Sequence, residues 1–393
     1  MTEAARDIRA TAARTVYLDH GATSWPKPQP VVQAVREAVE FYGGNPGRGA
    51  YELALATARL IHDARRTCAA LLGVRDPSDL AFVSGATEAL NIALKGLLAP
   101  GDRVVACSME HNAVVRPLNV LAAQGVDVVW VDADSTGLMD ADEVEAAVRR
   151  APTRAVVCQH ASNVTGTIQP VGDLADVAHA SGAWMIVDGA QAAGHLDIDV
   201  AALGADVYAV SGHKGLLGPQ GVGLLCLSEA CEPRDLVQGG TGGGASELPT
   251  QPTARPDRYE AGTPNTPGIA GAGAAAAFVA EHGHAQHGLE RELVARLHEG
   301  VLALPGFRVL GSPPREPRVP VLSVVHERVD ADQLAFLLDK RYGIAARAGL
   351  HCAPAAHRTL GTLATGALRF GIGWGNTAEH VDLAVQALAE AAG

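Results

Sequence analysis

The stretch VSGHKGLLGPQG, from Val210 to Gly221, holds one lysine among glycines, a serine, a histidine and a proline. Lysine is scarce in this chain. Lys27, Lys95, Lys214 and Lys340 are the whole set, and arginine supplies the other 27 of the 31 basic residues. Arginine cannot stand in for a nucleophilic amine, because its guanidinium stays protonated. Lys214 is therefore a candidate for covalent chemistry, set against the plainer reading of a solvated loop residue. Upstream, VDGAQAAGH puts Asp188 at the end of an apolar run. A buried carboxylate is costly unless it meets a cation or a donor, so Asp188 should hold one. The alternative is a cap on the segment that follows it. SGATEALN turns at Gly85 and opens a helix at Thr87, leaving free N–H groups and a hydroxyl suited to a phosphate, although an N-cap also explains Thr87. SMEHNAVVRP adds His111, an aromatic group or a surface loop residue.

Taken together, these four pieces describe pyridoxal phosphate chemistry. A lysine forms an imine with the cofactor aldehyde, and an aspartate keeps the ring nitrogen protonated. A helix N-terminus takes the phosphate, and an aromatic side chain covers the ring.

The surrounding pattern supplies the elements such a site needs. From residue 80 to about 230, short apolar runs alternate with helix-like stretches: LAFVSG, RVVAC, VDVVWVD, RAVVCQHAS, WMIVDGA, ADVYAVSG and GVGLLCL are the strands. This alternation predicts an α/β fold with a mainly parallel sheet, its strands buried on both faces. Ligands of such sheets bind beyond the carboxyl ends of the strands. Ser84, Ser108, Glu110, His111, Asn163, Asp188, Ser211, His213 and Lys214 all follow strands there. Residues 238–268 read as a long Gly/Pro/Thr-rich loop, and a helical connector over about 269–303 leads to a second region. That region holds a strand in RVPVLSVVHE, an aspartate-capped helix in DADQLAFLLDKRYG, a strand in ALRFGIGW and a closing helix, a smaller α+β lobe. The expected division is 30–268 for the large domain, with 1–29 and 269–393 forming the small one.

Several motifs extend the pattern over nearly the whole chain: YLDHGATSWPKP, GATEALN, MEHNA, SNVTGTIQPV, VDGAQ, SGHKGLLGPQGVG, EAGTPN, RAGLHCAP and LRFGIGWGNT. In these the chain resembles the class V, fold-type I pyridoxal phosphate enzymes, in the cysteine desulfurase and selenocysteine lyase branch. The resemblance implies an obligate dimer with its site between a large and a small domain. It makes Lys214 the imine lysine, Asp188 the partner of the pyridinium nitrogen, His111 the ring cover and Gln191 a contact of the phenolic oxygen. Ala86, Thr87, Ser211 and His213 would hold the phosphate, with Thr263 reaching it from the neighbouring subunit. Asn163 and Arg369 would take the substrate carboxylate, with Arg347 nearby. The chain departs from the family at His20–Gly21, where Asn–Ala is usual. That loop lies near the substrate in the family, so His20 is either a new polar contact or a tolerated replacement.

RAGLHCAPAAH decides between reactions. Five cysteines sit in apolar patterns, where cysteine behaves as a small hydrophobe. Cys352 instead follows Gly349 and His351 and precedes Pro354, which predicts an exposed loop. A thiol beside histidine and arginine is poised to form a thiolate. The stretch matches the family's nucleophile loop, which implies a cysteine desulfurase: L-cysteine becomes L-alanine, Cys352 attacks the substrate sulfur and carries it as a persulfide, and His111 lends acid–base help. The loop is short, as in group II desulfurases, which implies an acceptor protein that comes to the site. The alternatives are a selenocysteine or cysteine C–S lyase that releases sulfur without persulfide transfer, and a noncatalytic interaction protein on the same fold. Intact Lys214 and Asp188 speak against the last.

Composition narrows the field further. The chain has 393 residues, 48% hydrophobic and 19% charged, enough for a sizeable core. Its formal charge of −12 opposes phosphate backbones, so no nucleic-acid partner is expected. The six cysteines show no CxxC pair, so neither a disulfide framework nor a metal site is indicated. Without a continuous apolar core near the start or a membrane-length apolar run, a soluble, cytoplasmic protein is the expectation.

Overall fold

The computed structural model describes residues 3–47, 49–241 and 247–393. Seven strands form the large sheet, in the order Leu80–Val83, Gly223–Leu227, Val207–Ser211, Trp184–Asp188, Ala155–Gln159, Arg103–Cys107, Asp127–Val131. Gly223–Leu227 runs antiparallel to both neighbours, and the remaining pairs are parallel. The inner strands Ala155–Gln159 and Val207–Ser211 are buried at every position. Helices on both faces demand this, and it explains why these strands read as unbroken apolar runs instead of alternating ones. Asp127–Val131 departs from the expectation of two buried faces. It is the sheet edge, with Asp127 and Trp130 exposed, because no strand lies beyond it.

A second, antiparallel sheet has the order Arg347–Gly349, Ala367–Gly371, Val321–His326, Phe307–Leu310. The short strand Val16–Tyr17 pairs in parallel with Ile344–Ala345, so the start of the chain joins this region. The long helix Thr266–Leu302 begins three residues earlier than the sequence pattern implies. Asn265 caps it through the Gly268 N–H, and Pro267 in its first turn needs no hydrogen-bond partner there. It packs on Gln29–Phe41 and Glu52–Leu71 at one end and on Ala378–Ala392 toward the other. Asp330 precedes the helix Ala331–Leu337 as expected, yet its side chain makes no capping hydrogen bond, and that helix widens into a π turn over Leu338–Tyr342. Residues 242–246 of the predicted Gly/Pro/Thr-rich loop lie outside the described residues.

Candidate active site

The site forms where the parallel strands end. Asp188 is the last residue of its strand, and so is Ser211 of the adjacent one; Lys214 follows three residues later. A small cavity opens there, lined among others by Thr87, His111, Asn163, Asp188, Gln191 and Lys214. Ala86 and Ser211 also line it, and His213 flanks Lys214.

Its electrostatics follow from burial. The half-buried Lys214 amine is lowered to about 8, chiefly by desolvation, while the Asp188 charge resists that fall and Arg369 and Arg347 add to it. Asp188 is 5% exposed and its carboxyl is pushed upward by burial, against the pull of Lys214 and of the Ala190 N–H, which donates to Oδ1 at 3.0 Å. Asp188 thus caps a turn, and its carboxylate feels the charge of Lys214. The helix Ala86–Leu97 starts after Gly85, which offers no side-chain cap, and the N–H groups of Ala86 and Thr87 have no partner among the described residues. Gly223 makes that approach feasible. A Cβ there would lie 2.4 Å from Gly85 Cα, so only glycine lets the turn rest on the sheet end.

Other buried polar atoms in this region have no partner among the described residues: Gln191 Oε1 and Asn163 Oδ1 on residues that line the cavity, and His213 Nδ1 and Arg369 Nε. Gln191 Nε2 donates to the Gly21 carbonyl at 2.8 Å. Arg369, 1% exposed, donates from Nη2 to Asp19 Oδ1 at 2.8 Å and from Nη1 to the Asn163 carbonyl at 3.2 Å. His111 is the N-cap of Asn112–Ala123, its Nδ1 accepting from the Ala113 N–H at 3.0 Å. With Nδ1 occupied and its pKa lowered to about 3 by burial and then by Lys214, the ring is neutral with its proton on Nε2. It gives a hydrogen bond but is no charged acid at neutral pH.

Cys352 is exposed, whereas Cys68, Cys107, Cys158, Cys226 and Cys231 are buried, their thiols pushed upward by burial. Arg347 Nη2 stands 3.9 Å from Cys352 Sγ. His351 and Cys352 both have positive φ, 51° and 57°. For residues with a Cβ that region costs roughly 1–2 kcal/mol each, so the surroundings must fix the loop. Two clamps do so: Asn163 Nδ2 donates to the His351 carbonyl at 2.7 Å, and the Asn112 N–H to the Cys352 carbonyl at 2.8 Å.

Thr263, expected to act in the site of a neighbouring subunit, is exposed on its loop. His20 is 2% exposed, edge-on to Tyr17 at 5.1 Å, and fills the space a side chain at Gly373 would need. It does not line the cavity. Gly21 matters more, since a Cβ there would lie 3.2 Å from Arg369 Cζ. Sequence reasoning missed several neighbours. Lys27 Nζ donates to Ser24 Oγ at 2.7 Å and to the His213 carbonyl at 3.0 Å, bracing the lysine loop. Asp19 holds Arg369. Glu110 is fully buried, with Oε1 accepting the Gln159 N–H at 2.8 Å, and burial and the Asp188 charge push its carboxyl well above the usual range. The scarcity of lysine was a signal for Lys27, and Glu110 was already among the polar residues expected to follow strands at the site, though without a role; nothing local marked Asp19.

Comparison with known proteins agrees with this geometry. The profile of the class-V aminotransferases matches residues 16–384. A probable cysteine desulfurase of Methanothermobacter thermautotrophicus is 37% identical over 387 residues, covering 96% of this chain and 95% of that protein. The cysteine desulfurase of Cronobacter sakazakii is 33% identical, covering 95% and 92%. Among solved structures, the apo cysteine desulfurase of Thermococcus onnurineus superposes with a TM-score of 0.87 at 29% identity, covering 98% and 96% of the two chains. A cysteine desulfurase of Escherichia coli, in an S-sulfonic acid form, superposes with 0.85 at 30% identity, covering 98% of each. With its mainly parallel sheet ending in Asp188, Ser211 and Lys214, this chain belongs to the class-V aminotransferase family of fold-type I, in the cysteine desulfurase branch.

Proposed function

We propose that the protein is a pyridoxal phosphate-dependent cysteine desulfurase that converts L-cysteine to L-alanine and passes the sulfur on from Cys352. One observation carries this reading. The exposed Cys352 has Arg347 beside its sulfur, and its loop is held through the His351 carbonyl by Asn163, which lines the same cavity as Lys214. The residues fit the cofactor: the uncapped N–H groups of Ala86 and Thr87 suit a phosphate, with Ser211 and His213 beside them, and Asp188 and Gln191 stand ready for a ring. When bound, pyridoxal phosphate draws electron density away from the substrate's Cα.

The chain's own residues supply the rest. Arg369 and Asn163 hold the substrate carboxylate, and His111 covers the ring. The Lys214 amine, at about 8, has a neutral fraction near neutral pH and takes the Cα proton. The Cys352 thiolate attacks the substrate sulfur. An S–S bond forms as the C–S bond breaks and the electron pair stays with Cβ, which takes up a proton equivalent to the one the Cys352 thiol released; Lys214 returns the Cα proton, which completes alanine. In the test, Cys352→Ala should still bind cysteine and change the spectrum of the bound cofactor, while alanine formation falls by at least about a hundredfold, the scale of losing a covalent nucleophile. Full cysteine turnover by this variant would make the protein a C–S lyase and Cys352 a bystander.

The wider organisation is part of the proposal. Residues 30–268 form the large domain, and 1–29 with 269–393 form the small one carrying the nucleophile loop. The pairing of Val16–Tyr17 with Ile344–Ala345 supports joining the two ends of the chain. The protein acts as a homodimer in which the exposed Thr263 reaches the neighbour's phosphate, and an acceptor protein takes the sulfur. It works in the cytoplasm; among the described residues no helix is long and apolar enough to cross a membrane.

A further inference from the structure

Behind Cys352 lies a row of buried polar groups that the reaction above leaves unused. His351 is 3% exposed, His357 is fully buried and Thr362 is 2% exposed. His351 Nε2 lies 3.1 Å from the Arg347 carbonyl oxygen, and its Nδ1 lies 3.3 Å from His357 Nε2. His357 Nδ1 lies 2.8 Å from Thr362 Oγ1. A carbonyl only accepts, so His351 carries its proton on Nε2. The Nδ1 of that neutral ring then accepts, and His357 must donate to it from Nε2. His357 Nδ1 accepts in turn, and the Thr362 hydroxyl donates. With both rings neutral, the row has one self-consistent arrangement of protons. Burial favours that state, lowering His351 to about 3 and His357 to about 4, with Arg369, His357 and Arg347 also pressing on His351.

The position of this row gives it a use. It ends on the carbonyl of Arg347, the residue whose guanidinium faces Cys352 Sγ. It also holds the ring of His351, the first of the two residues with left-handed backbone. The Asn163 and Asn112 clamps grip only the carbonyl oxygens of His351 and Cys352. The side-chain row instead holds the loop through the His351 ring. Thr362 is fixed to His357 twice, since its N–H also donates to the His357 carbonyl at 2.8 Å. We infer that His357, acting through His351 and backed by Thr362, is a positioning residue that sets the Cys352 thiol against Arg347 for attack on the substrate sulfur. This rests on the reading of Cys352 as the sulfur acceptor.

The test compares the cofactor-loaded wild-type protein with three variants. His357→Phe keeps a ring and removes both nitrogens. His357→Gln retains an amide donor, and Thr362→Val removes only the hydroxyl at the far end of the row. The expected result for His357→Phe is a loss of at least about tenfold in kcat for cysteine, the scale of a misplaced reacting group. KM, and the fraction of Lys214 trapped by borohydride with pyridoxal phosphate, should stay within about twofold, because the carboxylate and cofactor contacts are untouched. His357→Gln should recover most of the lost kcat. Amide hydrogen exchange over residues 347–353 should speed up in His357→Phe and, to a smaller extent, in Thr362→Val, which keeps the core shape if the phenylalanine variant folds poorly. Wild-type kcat in His357→Phe would overturn the inference, as would a matching loss of KM and trapping, which would mark general damage to the site. The exchange measurement needs no turnover. Should the wild-type protein fail to desulfurate cysteine, the proposed function falls, while unchanged exchange in all three variants would still overturn the positioning role of His357.

Discussion

Arg369 has two of its three nitrogens engaged, by Asp19 and by the Asn163 carbonyl, and only Nε is left without a partner. A guanidinium held this way offers a fixed edge to a carboxylate at little further entropic cost. Removing one partner of such a charge-assisted contact typically costs about 2–5 kcal/mol. Arg369→Ala should therefore raise the KM for cysteine by on the order of a hundredfold, with the spectrum of the resting, cofactor-loaded protein unchanged. Steady-state kinetics beside an absorbance spectrum would check this, and an unchanged KM would move the carboxylate to Arg347. At this scale the sequence is legible where the residue type itself limits the chemistry. Lys214 stood out because arginine cannot replace it, and Cys352 because five other cysteines sat in apolar runs. Glu110 and His357 gave no such signal. Their surroundings come from residues brought close only by folding, as when the Gln159 N–H reaches Glu110.

The strands and helices that carry the site were the most readable level, because burial on both faces writes itself as continuous Val, Ile and Ala. The ends of elements were less so. The edge strand Asp127–Val131 carries the same apolar letters as the inner ones, and only its place in the sheet order exposes it. The helix pattern in DADQLAFLLDKRYG does not reveal the π turn at Leu338–Tyr342, which depends on how that segment meets its neighbours. Likewise, the need for glycine at 223 arises from the Gly85 turn of a distant segment resting on it. The loop His351–Cys352 belongs to the same class. GLHCAP reads as a turn, but two successive positive φ values at residues with side chains are visible only in three dimensions.

Over the whole molecule, burial holds seven of the described histidines neutral. His20, His111 and His351 are lowered to about 3, and His160, His213, His298 and His357 to about 4, in each case chiefly by desolvation. Unfolding returns each toward about 6.5, so between roughly pH 4 and 6.5 the unfolded chain binds more protons. Stability is then present above about 6.5 and lost as the pH falls toward 4. The raised carboxyls of Glu110 and Asp188 act in the opposite sense. The urea midpoint should drop between about pH 7 and pH 5, and a midpoint that rises over that interval would contradict the burial of these rings. The same fold that buries them leaves the Cys352 thiol exposed beside Arg347, where the substrate sulfur is to arrive. The most direct measurement of that arrival is the mass of the peptide containing AGLHCAPAAH after the cofactor-loaded protein meets L-cysteine without reductant. One added sulfur on Cys352, lost on treatment with a thiol, is the expected result. An unmodified Cys352 peptide, recovered while alanine accumulates, would contradict it.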